Sequence, residues 1–134
     1  MKLASGIGII YKDRLLLAKR TEYFEDNPIP LGGYWSIFAG SIEGEESFQE
    51  CAIRELYEET QIKIETHQLI DGCLIKNNNL RFKIFFVESP YETIPILNEE
   101  HTEYGWFDIN KINEFPHKIQ NDLIKCIENY KNCV

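Results

Sequence analysis

The sequence predicts a single α/β domain in which a mixed sheet is covered by helices on its faces. Three observations support this prediction: strand-like apolar runs, two segments with helical spacing of apolar residues, and a length of 134 residues. That length fits one domain over residues 1–134 and leaves no room for a second independent core. A composition of 43% hydrophobic and 27% charged residues is typical of a globular protein, which excludes the disordered and fibrous classes.

The first part of the chain predicts a hairpin, a long loop and a short strand. Residues 3–18 predict the hairpin, because two apolar runs flank a polar Lys-Asp-Arg turn. The loop at about 21–33 is rich in proline and glycine, and a loop this long in a small domain is more often functional than idle. Residues 34–39 predict a short strand, which leads into a glycine- and acid-rich turn at 40–46.

The central part predicts a helix followed by a second hairpin. From Ser47 to about Thr60, apolar residues recur at helical spacing and form one face. Residues 62–75 and 80–87 predict two strands joined by a Lys-Asn-Asn-Asn turn.

The last part predicts a loop, a strand and a closing helix. Residues 89–102 form a second long loop with two prolines, and residues 104–108 predict a short strand. Residues 116–131 predict an amphipathic helix, with Pro116 suited to its first turn.

The charge balance restricts the partners of this protein. Acidic residues outnumber basic residues 22 to 14, and the resulting net charge of -8 opposes binding to extended nucleic acid or to an anionic membrane. A phosphorylated small molecule can still bind if a cation lies between it and the protein. No apolar run reaches the length of a membrane span, and the Met-Lys-Leu start is not followed by a signal-type apolar segment. We therefore expect a cytoplasmic protein.

Four cysteines are scattered along the chain without a C-x-x-C pair, so their spacing does not predict a zinc site. We expect reduced thiols that serve as small apolar side chains. These residues are Cys51, Cys73, Cys126 and Cys133.

The first predicted helix ends in a cluster of acidic side chains. Glu55, Glu58 and Glu59 occupy positions i, i+3 and i+4, which places their carboxylates on one patch of the helix surface. Like charges at this spacing destabilise a helix, and the helix dipole disfavours anions at this end. Two interpretations remain open. One is a solvated acidic helix with a Glu50–Arg54 ion pair, and the other is a site for Mg²⁺ or Mn²⁺, which take oxygen ligands.

The spacing around these carboxylates resembles the Nudix box, G-x5-E-x7-R-E-U-x-E-E-x-G-U, in which U is apolar. Every specified position matches except one, because Gln61 stands where the family usually has glycine. That glycine lies just past the helix, where a left-handed residue is a common end, so the departure removes no carboxylate. The segments at 35–40 and 100–107 also resemble the family, and nearly the whole chain fits. The matching residues are Gly40, Glu46, Arg54, Glu55, Leu56, Glu58, Glu59 and Ile62.

The resemblance implies a Nudix-type αβα sandwich with the activity of a metal-dependent pyrophosphohydrolase. Such an enzyme cleaves a nucleoside diphosphate linked to another moiety. By the same resemblance, Glu55, Glu58 and Glu59 are the expected ligands of Mg²⁺ or Mn²⁺, and the Gly40 carbonyl is a further one. Arg54 is expected to orient a neighbouring glutamate.

The resemblance leaves the general base open between two positions. It is either the box glutamate Glu55 or a glutamate of the late loop, namely Glu99, Glu100 or Glu103. Glu55 is preferred, because loop glutamates are usually solvated. Glu100 and Glu103 remain candidates for contact with the metal or the substrate, and Glu46 is expected to brace the loop against the helix.

Basic and aromatic residues around the loop at 21–33 are the candidates for substrate contacts. Cations at the end of the second strand can reach phosphates, and aromatic rings can stack on a nucleobase. Each of these residues is by itself more often ordinary surface or core. The candidates are Lys19 and Arg20 for the phosphates and Tyr23, Phe24, Tyr34 and Trp35 for the base.

The favoured substrate is a small nucleotide, such as a nucleoside triphosphate or a modified nucleotide. ADP-ribose, a nucleotide sugar or a dinucleoside polyphosphate remains the alternative within the enzyme class. Outside it, the alternative is a catalytically silent nucleotide-binding regulatory domain, which the presence of all three box glutamates disfavours. A homodimer is left open.

Overall fold

Seven strands form one mixed sheet in the computed structural model, which describes residues 1–133. The strands of the structure are β1 (Lys2–Tyr11), β2 (Arg14–Arg20), β3 (Tyr23–Phe24), β4 (Asn27–Pro28), β5 (Trp35–Ser36), β6 (Phe38–Ser41), β7 (Ile70–Lys76), β8 (Leu80–Glu88) and β9 (His101–Asp108). Five strands of the sheet follow the order β5-β2-β1-β8-β7, while β6 pairs with β1 and β9 pairs with β2. The short strands β3 and β4 form a separate hairpin.

Two helices cover opposite faces of this sheet. Helix α1 (Phe48–Thr60) packs Ala52 and Leu56 against Ile7 and Ile9 of β1. Helix α2 (Asn121–Cys133) contributes to a second cluster, which contains Leu15 and Leu17 of β2. The predicted α/β fold class is therefore confirmed as an αβα sandwich, and apolar residues on both faces of β1 and β2 match a sheet buried on both sides. Within residues 1–133, no helix is long and apolar enough to cross a membrane.

The predicted hairpin at residues 3–18 is confirmed by the antiparallel pairing of β1 with β2. The strand predicted over residues 62–75 is shorter, because only Ile70–Lys76 pairs with β8. The residues before it pack Ile62 and Ile64 against the α1 cluster and include a short 3-10 helix at Thr66–Gln68. Their apolar side chains are thus partly buried without joining a strand ladder.

The closing helix begins at Asn121 rather than at Pro116, so the predicted start was wrong. The Trp35 N–H donates to the Lys118 carbonyl, and Trp35 also forms a parallel bridge with Ile119. The segment before the helix therefore continues the sheet edge instead of forming the first helical turn. A 3-10 helix at Ile109–Glu114 precedes this segment.

The expectation of reduced thiols was wrong for Cys73 and Cys126, which form a disulfide between β7 and α2. Their Cα atoms lie 5.9 Å apart although 53 positions separate them in the chain, so sequence spacing alone could not pair them. Cys51 is free and buried, as an apolar thiol is expected to be. The side chain of Cys133 lies outside the described part of the structure.

Both ends of α1 are capped. At the start, the Ser47 hydroxyl accepts from the Glu50 N–H, and the Glu50 carboxylate accepts from the Ser47 N–H, which is a capping box. At the end, Gln61 adopts the left-handed conformation with φ 64°, and its N–H donates to the Tyr57 carbonyl. The helix thus ends in the left-handed geometry that glycine favours, without glycine.

We expect Gln61→Gly to stabilise the protein by about 0.5 to 1 kcal/mol, because glycine adopts positive φ without a Cβ clash. The measurement is the melting temperature, which should rise by about 2 to 4 °C. The matched control is Gln49→Gly, at an exposed site inside α1, which should lower stability by a similar amount. A lower melting temperature for Gln61→Gly would show that the Gln61 side chain stabilises this helix end.

Candidate metal and substrate site

Three carboxylates meet beside α1. Glu55 and Glu59 project from the helix one turn apart, and Glu100 comes from the loop that precedes β9. One oxygen of each carboxylate lies within 4.8 Å of the others. Glu59 is only 1% exposed, and Glu55 is also buried. The fold therefore combines two residues of the acidic helix patch with a residue distant in sequence.

Glu59 lies in an environment that opposes its negative charge. Its Oε2 atom is buried without a hydrogen-bond partner. Burial raises the pKa of Glu59 to about 10, with further contributions from the negative charges of Glu100 and Glu55. Burial likewise raises the pKa of Glu55, although the hydrogen bond from Arg54 opposes the shift. A bound cation would remove this electrostatic cost.

His101 lies next to Glu59, with 3.6 Å between the His101 Nδ1 atom and the Glu59 Oε1 atom. Its ring is buried and packs edge-on against Phe38. Burial, together with the charge of Arg20, lowers the pKa of His101 to about 4, so the ring is neutral near pH 7 and does not compensate Glu59. Sequence reasoning assigned no role to His101, and its position next to Glu100 was the available signal.

Arg54 joins the acidic turn before α1 to the acidic end of the helix. Its Nε and Nη2 atoms donate to the two oxygens of Glu46 at 2.6 and 2.9 Å, and Nη1 donates to Glu55 at 2.9 Å. Nη1 also contacts the half-exposed Glu58 carboxylate at 3.1 Å, and Nη2 donates to the Ser41 carbonyl. These bonds raise the pKa of Arg54 and lower that of Glu46. Such a network holds the Glu55 carboxylate in one orientation.

Two expectations about ion pairs had different outcomes. The Glu46 carboxylate does brace the turn, since it accepts from the Glu43 N–H as well as from Arg54. The alternative prediction of a Glu50–Arg54 ion pair was wrong, because Glu50 forms the capping box with Ser47 instead. Local helix spacing permitted that pair, but the folded turn presents Arg54 with a better-placed carboxylate.

Gly40 leaves room for the Glu55 carboxyl group between β6 and α1. A Cβ atom at residue 40 would overlap the Glu55 carboxyl group. The buried Cys51 thiol donates to the Gly40 carbonyl at 3.5 Å on the same side. Gly40 therefore allows Glu55 to approach the strand directly.

The donor set fits a hard divalent cation such as Mg²⁺ or Mn²⁺. It consists of carboxylate oxygens, which these ions prefer, and it includes an unpartnered buried oxygen on Glu59. The Glu58 carboxylate faces Arg54 and lies outside the group of three.

Arg20 lies near this group because of an irregularity in the sheet. The register between β2 and β9 shifts between Lys19 and Arg20, which places Arg20 opposite His101 in the strand ladder. Its Nε atom donates to the Pro30 carbonyl at 2.9 Å, and its positive charge acts on both His101 and Glu59. Lys19 lies opposite Glu103 in the strand register, and Glu103 is exposed and lies outside the group of three carboxylates.

The candidate aromatic residues differ in exposure, and Tyr34 is half-buried with the Lys118 ammonium over its ring. Tyr23 and Phe24 are 61% and 59% exposed on the β3–β4 hairpin. Trp35 is only 5% exposed and packs edge-on against Phe107 and Phe115. His117 stacks on the Trp35 ring as well. Core side chains thus cover most of the Trp35 ring, which favours a packing role for Trp35, and its contact with a base stays a prediction.

Comparison with known proteins gives a family match over almost the whole chain. The family model described as NUDIX domain matches residues 2–130. A Haemophilus influenzae protein named dihydroneopterin triphosphate diphosphatase is 30% identical, and the match covers 88% of this chain and 81% of that protein.

Solved structures share the fold at lower sequence identity. The MutT NUDIX hydrolase from Burkholderia pseudomallei has a TM-score of 0.76 and 19% identity, with 95% of each chain covered. The dihydroneopterin triphosphate pyrophosphohydrolase of E. coli has a TM-score of 0.72 and 21% identity, with 98% of this chain and 96% of that chain covered. The NUDIX domain of Shewanella oneidensis NrtR, solved with ADP ribose, has a TM-score of 0.76 and 17% identity, with 98% and 86% covered.

Proposed function

This chain belongs to the NUDIX family and is a Nudix pyrophosphatase, and from this premise we propose that it releases pyrophosphate from a small triphosphate that carries a bicyclic nitrogen heterocycle. Dihydroneopterin triphosphate is the first candidate, and a purine nucleoside triphosphate is the second. The observation that supports metal-dependent cleavage is the convergence of Glu55, Glu59 and Glu100, because a polyphosphate needs bound cations to approach such an acidic surface.

The proposed ligands of Mg²⁺ or Mn²⁺ are the carboxylates of Glu55, Glu59 and Glu100. The Gly40 carbonyl and Glu58 are proposed as further oxygen ligands at the edge of this group. When bound, the metal neutralises phosphoryl oxygens and lowers the pKa of a ligating water. The unpartnered Oε2 atom of Glu59 supports this assignment, since a buried carboxylate oxygen without a donor is unfavourable in the absence of a cation.

In the proposed reaction, a water oxygen attacks the α phosphorus, the bond from that phosphorus to the α–β bridging oxygen breaks, and pyrophosphate leaves. Glu55 is the preferred base for the proton of that water. Arg54 fixes the Glu55 carboxylate through the 2.9 Å hydrogen bond, which supports this role. Arg20 is proposed to contact the departing phosphates, because its charge lies beside Glu59 at the end of β2.

The substrate class rests on the curated relative rather than on the carboxylate group. The dihydroneopterin triphosphate diphosphatase is 30% identical over most of both chains, whereas the structural neighbours are near 20% and support the fold alone. A pterin and a purine are both flat bicyclic rings, so one aromatic platform can stack on either. The exposed rings of Tyr23 and Phe24 are proposed as that platform.

The test is a hydrolysis panel that measures pyrophosphate and phosphate release with Mg²⁺, with Mn²⁺ and with excess EDTA. We expect pyrophosphate release from dihydroneopterin triphosphate to be fastest, followed by GTP and dGTP, with no turnover in EDTA. Faster cleavage of ADP-ribose or a dinucleoside polyphosphate would overturn the substrate assignment. Binding without cleavage across the whole panel would favour a regulatory nucleotide-binding domain.

We expect Tyr23→Ala and Phe24→Ala to raise KM for the best substrate about tenfold and to leave kcat nearly unchanged. Loss of stacking removes binding energy shared by the ground state and the transition state, and stacking contributes about 1 to 3 kcal/mol. Steady-state kinetics checks this, with Leu31→Ala as a control for another exposed apolar side chain of the same loop. An unchanged KM in both variants would move recognition of the ring to the loop that carries Tyr91.

A further inference from the structure

Glu100 reaches the carboxylate group from a long loop, unlike Glu55 and Glu59, which are fixed on a helix. The loop spans residues 89–100 between β8 and β9. The Glu100 carboxylate would gain solvation by turning outward, away from the other two acidic side chains. Its position beside them therefore needs a specific restraint.

The side chain of Asn98 supplies that restraint through three hydrogen bonds. Its Oδ1 atom accepts from the Glu100 N–H at 2.9 Å. Because an N–H can only donate, this bond assigns the oxygen and directs the amide Nδ2 atom to the other side. There, Nδ2 donates to the Glu100 Oε2 atom at 3.3 Å and to the Glu58 carbonyl at 3.1 Å.

These contacts connect Glu100 to the helix that carries the other two carboxylates. Glu58 lies in the last turn of α1, where the carbonyls lack partners within the helix. The loop also docks on this helix end through the Ile96 N–H, which donates to the Thr60 carbonyl at 3.0 Å. One amide group thus joins the end of α1 to the carboxylate of Glu100.

The backbone of the loop has a separate anchor on Thr21, the residue that follows β2. The Thr21 N–H donates to the Glu100 carbonyl at 2.9 Å, and the Thr21 hydroxyl donates to the Glu99 carbonyl at 2.6 Å. These bonds hold the main chain at residues 99 and 100 without touching the Glu100 carboxylate. The Asn98 side chain is the group that restrains rotation of that carboxylate.

We propose that Asn98 is a positioning residue that holds the Glu100 carboxylate in the metal site and connects it, through hydrogen bonds, to the end of α1. The inference rests on the proposed function, since it concerns the same metal site. Asn98 holds one carboxylate oxygen with its amide donor and leaves the other oxygen free for the cation. Removal of a partner that orients a metal ligand typically weakens metal binding about tenfold to a hundredfold.

The test is the Mn²⁺ affinity of the protein without substrate, measured by electron paramagnetic resonance or calorimetry. In Asn98→Ala, all three hydrogen bonds are lost, and we expect the Kd for Mn²⁺ to rise about tenfold to a hundredfold. In Asn98→Ser, the hydroxyl can still accept from the Glu100 N–H and preserve the turn, but it is too short to reach the Glu100 carboxylate. We therefore expect Asn98→Ser to bind Mn²⁺ as weakly as Asn98→Ala.

The matched control is Asn77→Ala, because Asn77 accepts from the Asn79 N–H in a similar turn, in the β7–β8 hairpin. It should leave the Kd for Mn²⁺ unchanged. Wild-type affinity in Asn98→Ser would show that Asn98 serves the turn alone and would overturn the inference, as would an unchanged Kd in Asn98→Ala. Absence of Mn²⁺ binding by the wild type would instead overturn the proposed metal site, and the inference with it.

A second measurement separates positioning from general loss of structure. If Asn98 acts on the metal site, the activity of Asn98→Ser should approach that of the wild type as the Mg²⁺ concentration is raised. A loss of kcat that saturating Mg²⁺ does not restore, with a normal Mn²⁺ affinity, would contradict the proposal.

Discussion

Glu59→Gln is expected to lower kcat about a hundredfold or more and, at the same time, to raise the melting temperature of the metal-free protein. The loss of activity follows from removal of a proposed metal ligand, because such a ligand acts mainly in the transition state. The gain in stability follows from the position of Glu59, which is buried beside Glu55 and Glu100 with one oxygen unpartnered. Because the pKa of Glu59 is raised to about 10, this carboxylate must take up a proton when the metal-free protein folds near pH 7. The neutral amide of Gln avoids that cost, and we expect a gain of about 1 kcal/mol or more.

Two measurements check this prediction: steady-state kinetics, and thermal unfolding with and without Mn²⁺. Bound Mn²⁺ should raise the melting temperature of the wild type but have little effect on Glu59→Gln, because a ligand that binds only the folded state stabilises it. Glu45→Gln is the matched control, since Glu45 is exposed in the acidic turn and its replacement makes the same chemical change away from the carboxylate group. Near-normal turnover in Glu59→Gln would show that the acidic patch is a structural feature without a metal.

Arg54→Gln is expected to have the opposite effect on stability, lowering it by about 2 to 4 kcal/mol. The change leaves the partly buried carboxylates of Glu46 and Glu55 without their guanidinium donor, and unpaired buried charges are strongly destabilising. The melting temperature should fall by about 10 °C. We also expect kcat to fall about tenfold to a hundredfold, because Glu55 loses the group that orients it.

Arg54→Lys and Arg14→Gln provide the comparison for this effect. Lysine keeps the positive charge but lacks the planar fork that contacts both oxygens of Glu46, so Arg54→Lys should recover only part of the loss. Arg14 forms an exposed pair with Glu92, and its replacement should cost less than about 1 kcal/mol. Equal stabilities of Arg54→Gln and Arg14→Gln would contradict the central role of the Arg54 network.

The spacing of the Glu residues on α1 shows how far local sequence patterns predict this site. Helix geometry alone places Glu55 and Glu59 one turn apart, and the structure confirms that their carboxylates lie together. The same spacing also favoured Glu58 and a Glu50–Arg54 pair, yet Glu58 faces Arg54 and Glu50 caps the helix. Each of these outcomes depends on which partner the acidic turn presents, and that turn is positioned by its contacts with the rest of the fold.

The residues that complete the site come from distant parts of the chain. Glu100 joins Glu59 only because the loop before β9 docks on the end of α1 and on Thr21 of the loop after β2. The burial of Trp35 likewise depends on packing with Phe107 and Phe115, far along the chain. Neither arrangement leaves a periodic signal in the sequence, because contacts between distant residues have no fixed spacing.

The sequence by itself determined the α/β class, the ends of α1 to within a residue, and the acidic patch on that helix, because each arises from periodicity or capping between neighbouring residues. Only the tertiary structure decided that Cys73 meets Cys126, that the segment after Pro116 pairs with the sheet edge, and that Asn98 and His101 surround the carboxylates. These features depend on where the strands and loops pack in three dimensions. Packing is set by the total burial of apolar surface and the pairing of buried polar groups, which no local stretch of sequence contains.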